Sequence, residues 1–487
     1  MNGVASLDRP NLLVIMADQL RHDWLSVCGT PGVSTPAIDG LSARGVRFTN
    51  LTTNSAICVP ARLALATGLR PERINAWGNE AMLQPGDTTY YQRLRDSGYR
   101  VGIVGKLDLA KRDIYNGYRG DRPQVYSWGF THPLEAEGKM HARGHAGKPL
   151  GPYGFWLQER GLFESFCEDY ERRMAEIFDA LTTSSAPPYA GTGLYRDSVL
   201  PSDAFEDVWL GERAVEWIQT VPDDFPWHLF VSFVGPHDPF DPPTEWADQF
   251  REAPVPDHVA AVEAGRPGYV WPSRWGLSSE EVRAARRQYS AATALIDAQV
   301  ARILDVVRKR GLEDNTYVVF TSDHGEMLGD LGLFEKSVAY DPAMRVPLIV
   351  VGPDIAPGVV DAPVELADLN PTLCDLAGLT TQPGLDARSF TPLLRNDTSS
   401  AARTVAVCSQ QHYRAIRSTT HKYIANRNTH RFSRPDDPDE VYDLIADPYE
   451  TRNLVVEDPE TADRIVALLV ALERKDAGRI AQATATP

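Results

Sequence analysis

A chain of 487 residues is too long for one simple core, so one large domain with a smaller companion is expected. Hydrophobic residues make up 43% and charged residues 24%, the composition of an ordinary folded protein. The 49 basic against 66 acidic residues give a formal charge of -17, which argues against nucleic acid and membrane partners; a small anionic substrate stays open, because positive charge in a cleft can outweigh the net field. Five cysteines (Cys28, Cys58, Cys167, Cys374 and Cys408) are scattered, odd in number and free of CxxC pairs, which excludes a disulfide framework and a zinc ribbon. The apolar run at 12–17 is too short for a signal sequence or a membrane span and lacks basic flanks, so it reads as a first buried strand and the protein as cytoplasmic.

Several short apolar runs end in chemically capable side chains. NLLVIMAD delivers Asp18, VGIVGK delivers Lys106, HLFVSFVGPHD leads to His237, and YVVFTSDHGE delivers Asp323 and His324, with VPLIVVGP after it. Runs of this length, rich in Val and Ile, fit buried parallel strands. Helical stretches at 204–220 and 279–310 lie between them. The alternation predicts an α/β fold: a large mixed, mostly parallel sheet sandwiched by helices. In such sheets ligands sit beyond the carboxyl ends of the strands, where these polar residues fall. Residues 110–200 are read as an excursion over that site, with 120–160 rich in Gly, Pro, His and aromatics and weakly periodic. Composition changes near 380–403, and the runs AVCSQQ, YRAIRS, HKYIAN and EVYDLI followed by a helix near 459–476 predict a smaller C-terminal α+β domain, an antiparallel sheet plus a helix. The expected division is 1–385 and 386–487.

The sharpest local signal is Cys58-Val59-Pro60-Ala61-Arg62, continuing to Thr67-Gly68. Here the chain resembles the formylglycine-dependent sulfatases of the alkaline-phosphatase superfamily, whose motif is C-x-P-x-R followed by Thr-Gly. The resemblance implies that Cys58 is oxidised to formylglycine by a formylglycine-generating enzyme. One hydroxyl of the hydrated aldehyde then attacks sulfur, and loss of a proton from the other expels sulfate, which divides one hard displacement into two steps. Arg62 would hold the diol and neutralise charge. The same likeness implies one divalent cation on Asp18, Gln19, Asp323, His324 and the modified Cys58; Ca²⁺ comes first, Mg²⁺ stays open, and His324, softer than the asparagine many sulfatases place there, moves the choice toward Mn²⁺. Gly105-Lys106 matches the family's Gly-Lys, Pro236-His237 its Pro-His, and Lys336 a second substrate-side lysine, which together give the charge stabilisation that sulfuryl or phosphoryl transfer needs. Asn79 resembles an asparagine that lines the pocket. VELADLNPTLCDLAGL and EVYDLIADPYETRNL resemble further family landmarks, so the likeness spans residue 11 to about 476, with 110–200 outside it.

One departure stands out. The family's Gly-Lys-x-His reads Gly105-Lys106-Leu107-Asp108 here. Asp108 either orients Lys106 or another residue, or binds a cationic group, or the missing histidine comes from His132, His141 or His145. The spacing of these three fits no standard second-metal motif. Trp77, Trp128, Trp156 and Tyr153 are read as a pocket wall or as packing. The function expected is hydrolysis of the sulfate ester of a small organic molecule. The alternative is a phosphonate monoester or phosphodiester hydrolase using the same nucleophile and metal. A non-catalytic scaffold predicts decayed metal dyads, which are not seen, and a simple phosphatase would need Ser or Thr in place of Cys58. Self-association into a homo-oligomer is left open.

Overall fold

The strand Asn11–Ala17 is buried on both faces: Leu12, Val14 and Met16 enter one apolar cluster, and Leu13, Ile15 and Ala17 enter the other. Alternate side chains of a strand point to opposite faces, so a wholly apolar strand requires cover on both sides. The computed structural model describes residues 9–113, 115–182, 192–262, 264–273, 276–397 and 402–485. It shows that strand near the middle of an eight-stranded sheet. Across the sheet the order is His132–Ala136, Arg100–Lys106, Trp227–Ser232, Asn11–Ala17, Thr316–Ser322, Leu348–Val351, Val46–Phe48 and Gly358–Val360. Neighbours are parallel except Leu348–Val351, which runs antiparallel to both of its partners. Helices cover both faces, among them Glu206–Thr220 and the long Ser279–Lys309, whose start is fixed by a capping box between Ser278 and Glu281.

The parallel strands carry their carboxyl ends to one pole. Asp18 follows the first strand, Lys106 ends another, and Asp323 follows Thr316–Ser322. Gly105 is required beside Lys106: its φ is 113°, and a Cβ there would lie 2.0 Å from the Ser232 carbonyl oxygen of the adjacent strand.

The region read as an excursion contains a strand, His132–Ala136, which extends the sheet at its edge. Pro133 and Glu135 break the apolar pattern, and both are tolerated because an edge strand leaves one side unpaired and Glu135 is matched by Arg122 at 2.6 Å. Helices Pro152–Glu159 and Phe163–Thr182 follow. Residues 183–191 of that region lie outside the described residues.

The C-terminal sheet is a four-stranded antiparallel meander of Ala406–Gln410, Tyr413–Arg417, His421–Asn426 and Glu440–Asp443. Ile416 and Val441 on one face meet Ile465 and Leu469 of the helix Pro459–Ala485. Ala415, Ile424 and Tyr442 on the other face pack against Met327, Tyr340 and Met344 of the larger sheet's loops. Among the described residues no helix is long and apolar enough to cross a membrane.

Candidate active site

Cys58 opens the helix Cys58–Thr67, every residue of which is buried, and Gly68 closes it in the left-handed conformation, φ 71°. The helix points its first turn at the pole where the strands end. Cys58 Sγ lies 3.1 Å from His324 Nε2 and 4.0 Å from Asp18 Oδ1. One ligand atom each from Asp18, Cys58, Asp323 and His324 all lie within 4.8 Å of one another. This donor set fits a divalent cation: two carboxylates supply hard oxygen atoms, and the imidazole is held for the purpose. His324 Nδ1 donates to the Gly325 carbonyl at 3.0 Å, which leaves Nε2 facing the centre.

Arg62, one helical turn after Cys58, holds the acids in place. Its Nε donates to Asp323 Oδ2 at 2.8 Å, its Nη1 to Ser232 Oγ at 2.8 Å and the Lys106 carbonyl at 2.6 Å, and its Nη2 to Asp18 Oδ2 at 3.4 Å. Its side chain therefore ties together the ends of four strands. Lys106 Nζ pairs with Asp18, and with Asp108 at 3.2 Å. Gln19 takes a left-handed backbone, φ 67°, with its amide oxygen accepting from Lys336 and its amide nitrogen donating to Asp238 at 3.1 Å and to Glu326. Lys336 Nζ also lies 2.6 Å from His237 Nε2, while His237 Nδ1 donates to the Asp238 carbonyl at 2.7 Å.

The charges reshape one another. Burial raises the Asp18 carboxyl, but Lys106, His237, Arg62 and His324 together hold it well below the carboxylate range. Burial and Asp18 work against a Cys58 thiolate, yet Lys106, His324 and Lys111 bring the thiol well below its usual value. Burial lowers His324, and Asp323 and Cys58 outweigh it, lifting the imidazole to about 9.

Lys106, paired with Asp18, leads from this cluster to a cleft of about 230 Å³. Lys106, Lys111, His141, His237 and Lys336 line it, with Tyr170 among its apolar parts. Asn79 also lines it and accepts from the Val59 N–H at 3.2 Å, which holds it over the start of the helix Cys58–Thr67.

Of the three histidines considered for the vacant family position, the cleft receives His141 alone. His132 begins its strand rather than ending it, so it lies at the opposite pole, bonded to Thr131 and set edge-on to Trp217. His145 is exposed, in a turn bridged to Lys148. The aromatic wall resolves into packing. Trp128 lies in the core under Arg122, Tyr153 and Trp156 pack on Trp209, and Trp77 carries Arg427. Sequence reasoning passed over Asp238, Lys111, Ser232 and Glu326. Asp238 was legible as the neighbour of His237; Ser232 and Glu326 carry no local signal, because a long fold-determined approach brings them in.

The likeness to known proteins agrees with this geometry. Residues 10–379 match the Sulfatase family model, and residues 329–477 match the model for the C-terminal region of N-sulphoglucosamine sulphohydrolase. The chain belongs to the sulfatase family and is by class a sulfuric ester hydrolase. It is 27% identical over 467 residues to a choline-sulfatase of Rhizobium meliloti, covering 92% of this chain and 82% of that one. It is 24% identical to an arylsulfatase of Clostridium perfringens, with 97% and 95% covered. Among solved structures, a phosphonate monoester hydrolase of Agrobacterium radiobacter shares the fold with a TM-score of 0.75 at 24% identity, covering 96% of each chain. A protein solved with its substrate D-glucosamine-2-N,6-O-disulfate shares it at 0.74 and 20% identity, with 96% and 98% covered.

Proposed function

We propose that this protein hydrolyses the sulfate monoester of a small organic molecule, with residue 58 acting as formylglycine. The observation that carries the reading is the gathering of Cys58, Asp18, Asp323 and His324, with Lys106 paired to Asp18 and lining a cleft shared with His237 and Lys336. Asp18, Asp323 and His324, with Gln19 beside them, are the residues that would hold a divalent cation, and the cation would supply Lewis-acid stabilisation of the sulfate oxygens and of the ionised diol. The hydrated aldehyde at residue 58 supplies the attacking hydroxyl.

This chain's own side chains do the rest. Lys106 and Lys336 both line the cleft and stabilise charge on the transferred group. His237 Nε2, in contact with Lys336 Nζ, provides a route for a proton to the departing alkoxide oxygen. Arg62 keeps the two acids aimed inward and does not have to move during turnover. A cleft of about 230 Å³ suits a small leaving group.

The second reading, hydrolysis of a phosphonate monoester or phosphodiester, draws support from the Asp-Gln and Asp-His dyads and the fold shared with a phosphonate monoester hydrolase. The test compares kcat/KM for an aryl sulfate, an aryl phosphonate monoester and an aryl phosphodiester on protein co-expressed with a formylglycine-generating enzyme. A clear advantage for the sulfate supports the first reading, and a clear advantage for either phosphorus ester replaces it with the second.

A further inference from the structure

The acid at position 108, where the family has a histidine, has a definite task in this fold. Asp108 takes a left-handed backbone, φ 56°, a conformation a non-glycine residue keeps only when its surroundings hold it. There its carboxylate lies 3.2 Å from Lys106 Nζ and 3.3 Å from Lys111 Nζ. An anion between two ammonium groups offsets their repulsion and lets both occupy one largely buried place.

The two lysines are not equivalent. Lys106 is further committed to Asp18, on the floor of the site. Lys111 has Asp108 as its ion-pair partner among the described residues, lines the cleft, and keeps 13% of its side chain exposed. An ammonium carries three protons, so two remain for whatever enters. Lys111 is also close enough to His141 to hold that imidazole, already lowered by burial, further down. Lys336 and His237, already bonded to each other, line the same cleft. Several cations around one small cleft suit a tetrahedral anion, whose oxygens point in different directions.

We infer that Lys111 contacts a peripheral oxygen of the transferred sulfuryl group, and that Asp108 is the positioning residue that holds it there. The inference rests on the cleft being the active site proposed above.

The test measures kcat and KM for an aryl sulfate, and the inhibition constant of inorganic sulfate, in the wild type, K111Q, K111R and D108N, each with formylglycine confirmed by mass. K111Q is expected to lose about 100-fold in kcat/KM, the cost of deleting one oxyanion donor. It should also bind inorganic sulfate about 10-fold more weakly, as expected for a lost charge-assisted hydrogen bond. K111R, which keeps the charge and the reach, should recover most of both, and D108N should fall between K111Q and wild type. If K111Q leaves turnover and sulfate inhibition unchanged while the wild type is active, the role of Lys111 is overturned and the active site stands. If K111Q and K111R lose turnover equally with sulfate inhibition unmoved, Lys111 is structural and the inference fails. A converted wild type that turns over no sulfate ester overturns this inference and the proposed function together.

Discussion

Two buried charge networks can be set side by side in this molecule. At the junction between the two sheets, Asp341 is gripped by Arg417 through Nε and Nη2, both at 2.9 Å, and by Lys422 at 2.6 Å, while Lys422 also reaches Glu450 at 2.5 Å. Each acid there faces a cation, and the lone pairs are used up in closing the contact. At the pole where the strands end the cations Arg62 and Lys106 are as numerous, but the arrangement differs. Arg62 and Lys106 bind Asp18 Oδ2, and Arg62 binds Asp323 Oδ2, which leaves an oxygen of each acid among the converging atoms with Cys58 Sγ and His324 Nε2. Asp18 and Asp323 also oppose one another's ionisation. Buried acids that give one oxygen to a cation and turn the other to a common point mark a site built to receive charge; an acid closed on arginine and lysine through both oxygens marks a joint.

The comparison breaks most sharply at Cys58. Cys58→Ala should lower turnover by at least about 10⁴-fold, the scale of losing a nucleophile, while the thermal unfolding curve stays close to wild type. Asp323→Ala should release the bound cation, seen by elemental analysis, and cost about 10³-fold in kcat/KM. Activity retained without metal would refute the ligand assignment. At the joint the pattern inverts. Arg417→Met should destabilise by about 3–5 kcal/mol, because it strips Asp341 of a buried partner, yet leave kcat of the folded fraction within about twofold. Urea unfolding and active-site-normalised turnover separate the two effects. The smallest effect belongs to His132→Gln, at the far pole, which should change kcat/KM by less than about twofold; a larger loss would mean that His132 acts on the cleft from a distance.

Much of the fold was legible because its signals are local. Apolar runs ending at Asp18, Lys106 and Asp323 read directly as parallel strands, and the four short runs after residue 403 read as the second sheet. The strand His132–Ala136 did not, since an edge strand with Pro133 and a paired Glu135 carries no apolar alternation. In the site, the motif residues Cys58, Arg62, Lys106 and the two dyads do converge, while the contributions of Ser232 and Glu326 depend on strand order and loop path, which spacing does not encode. The histidines show the same limit. His132, His141 and His145 look alike in sequence, and only the direction of one strand sends His132 to the opposite pole and leaves His141 at the cleft.

The central claim is that a converted residue 58, set among these acids, is the nucleophile. The most direct measurement follows the rate of aryl sulfate turnover across preparations that differ in the fraction of formylglycine at residue 58, determined by peptide mass. The account predicts a rate proportional to that fraction and close to zero for the unconverted Cys58 protein with its metal bound. Full activity in the unconverted protein would contradict it.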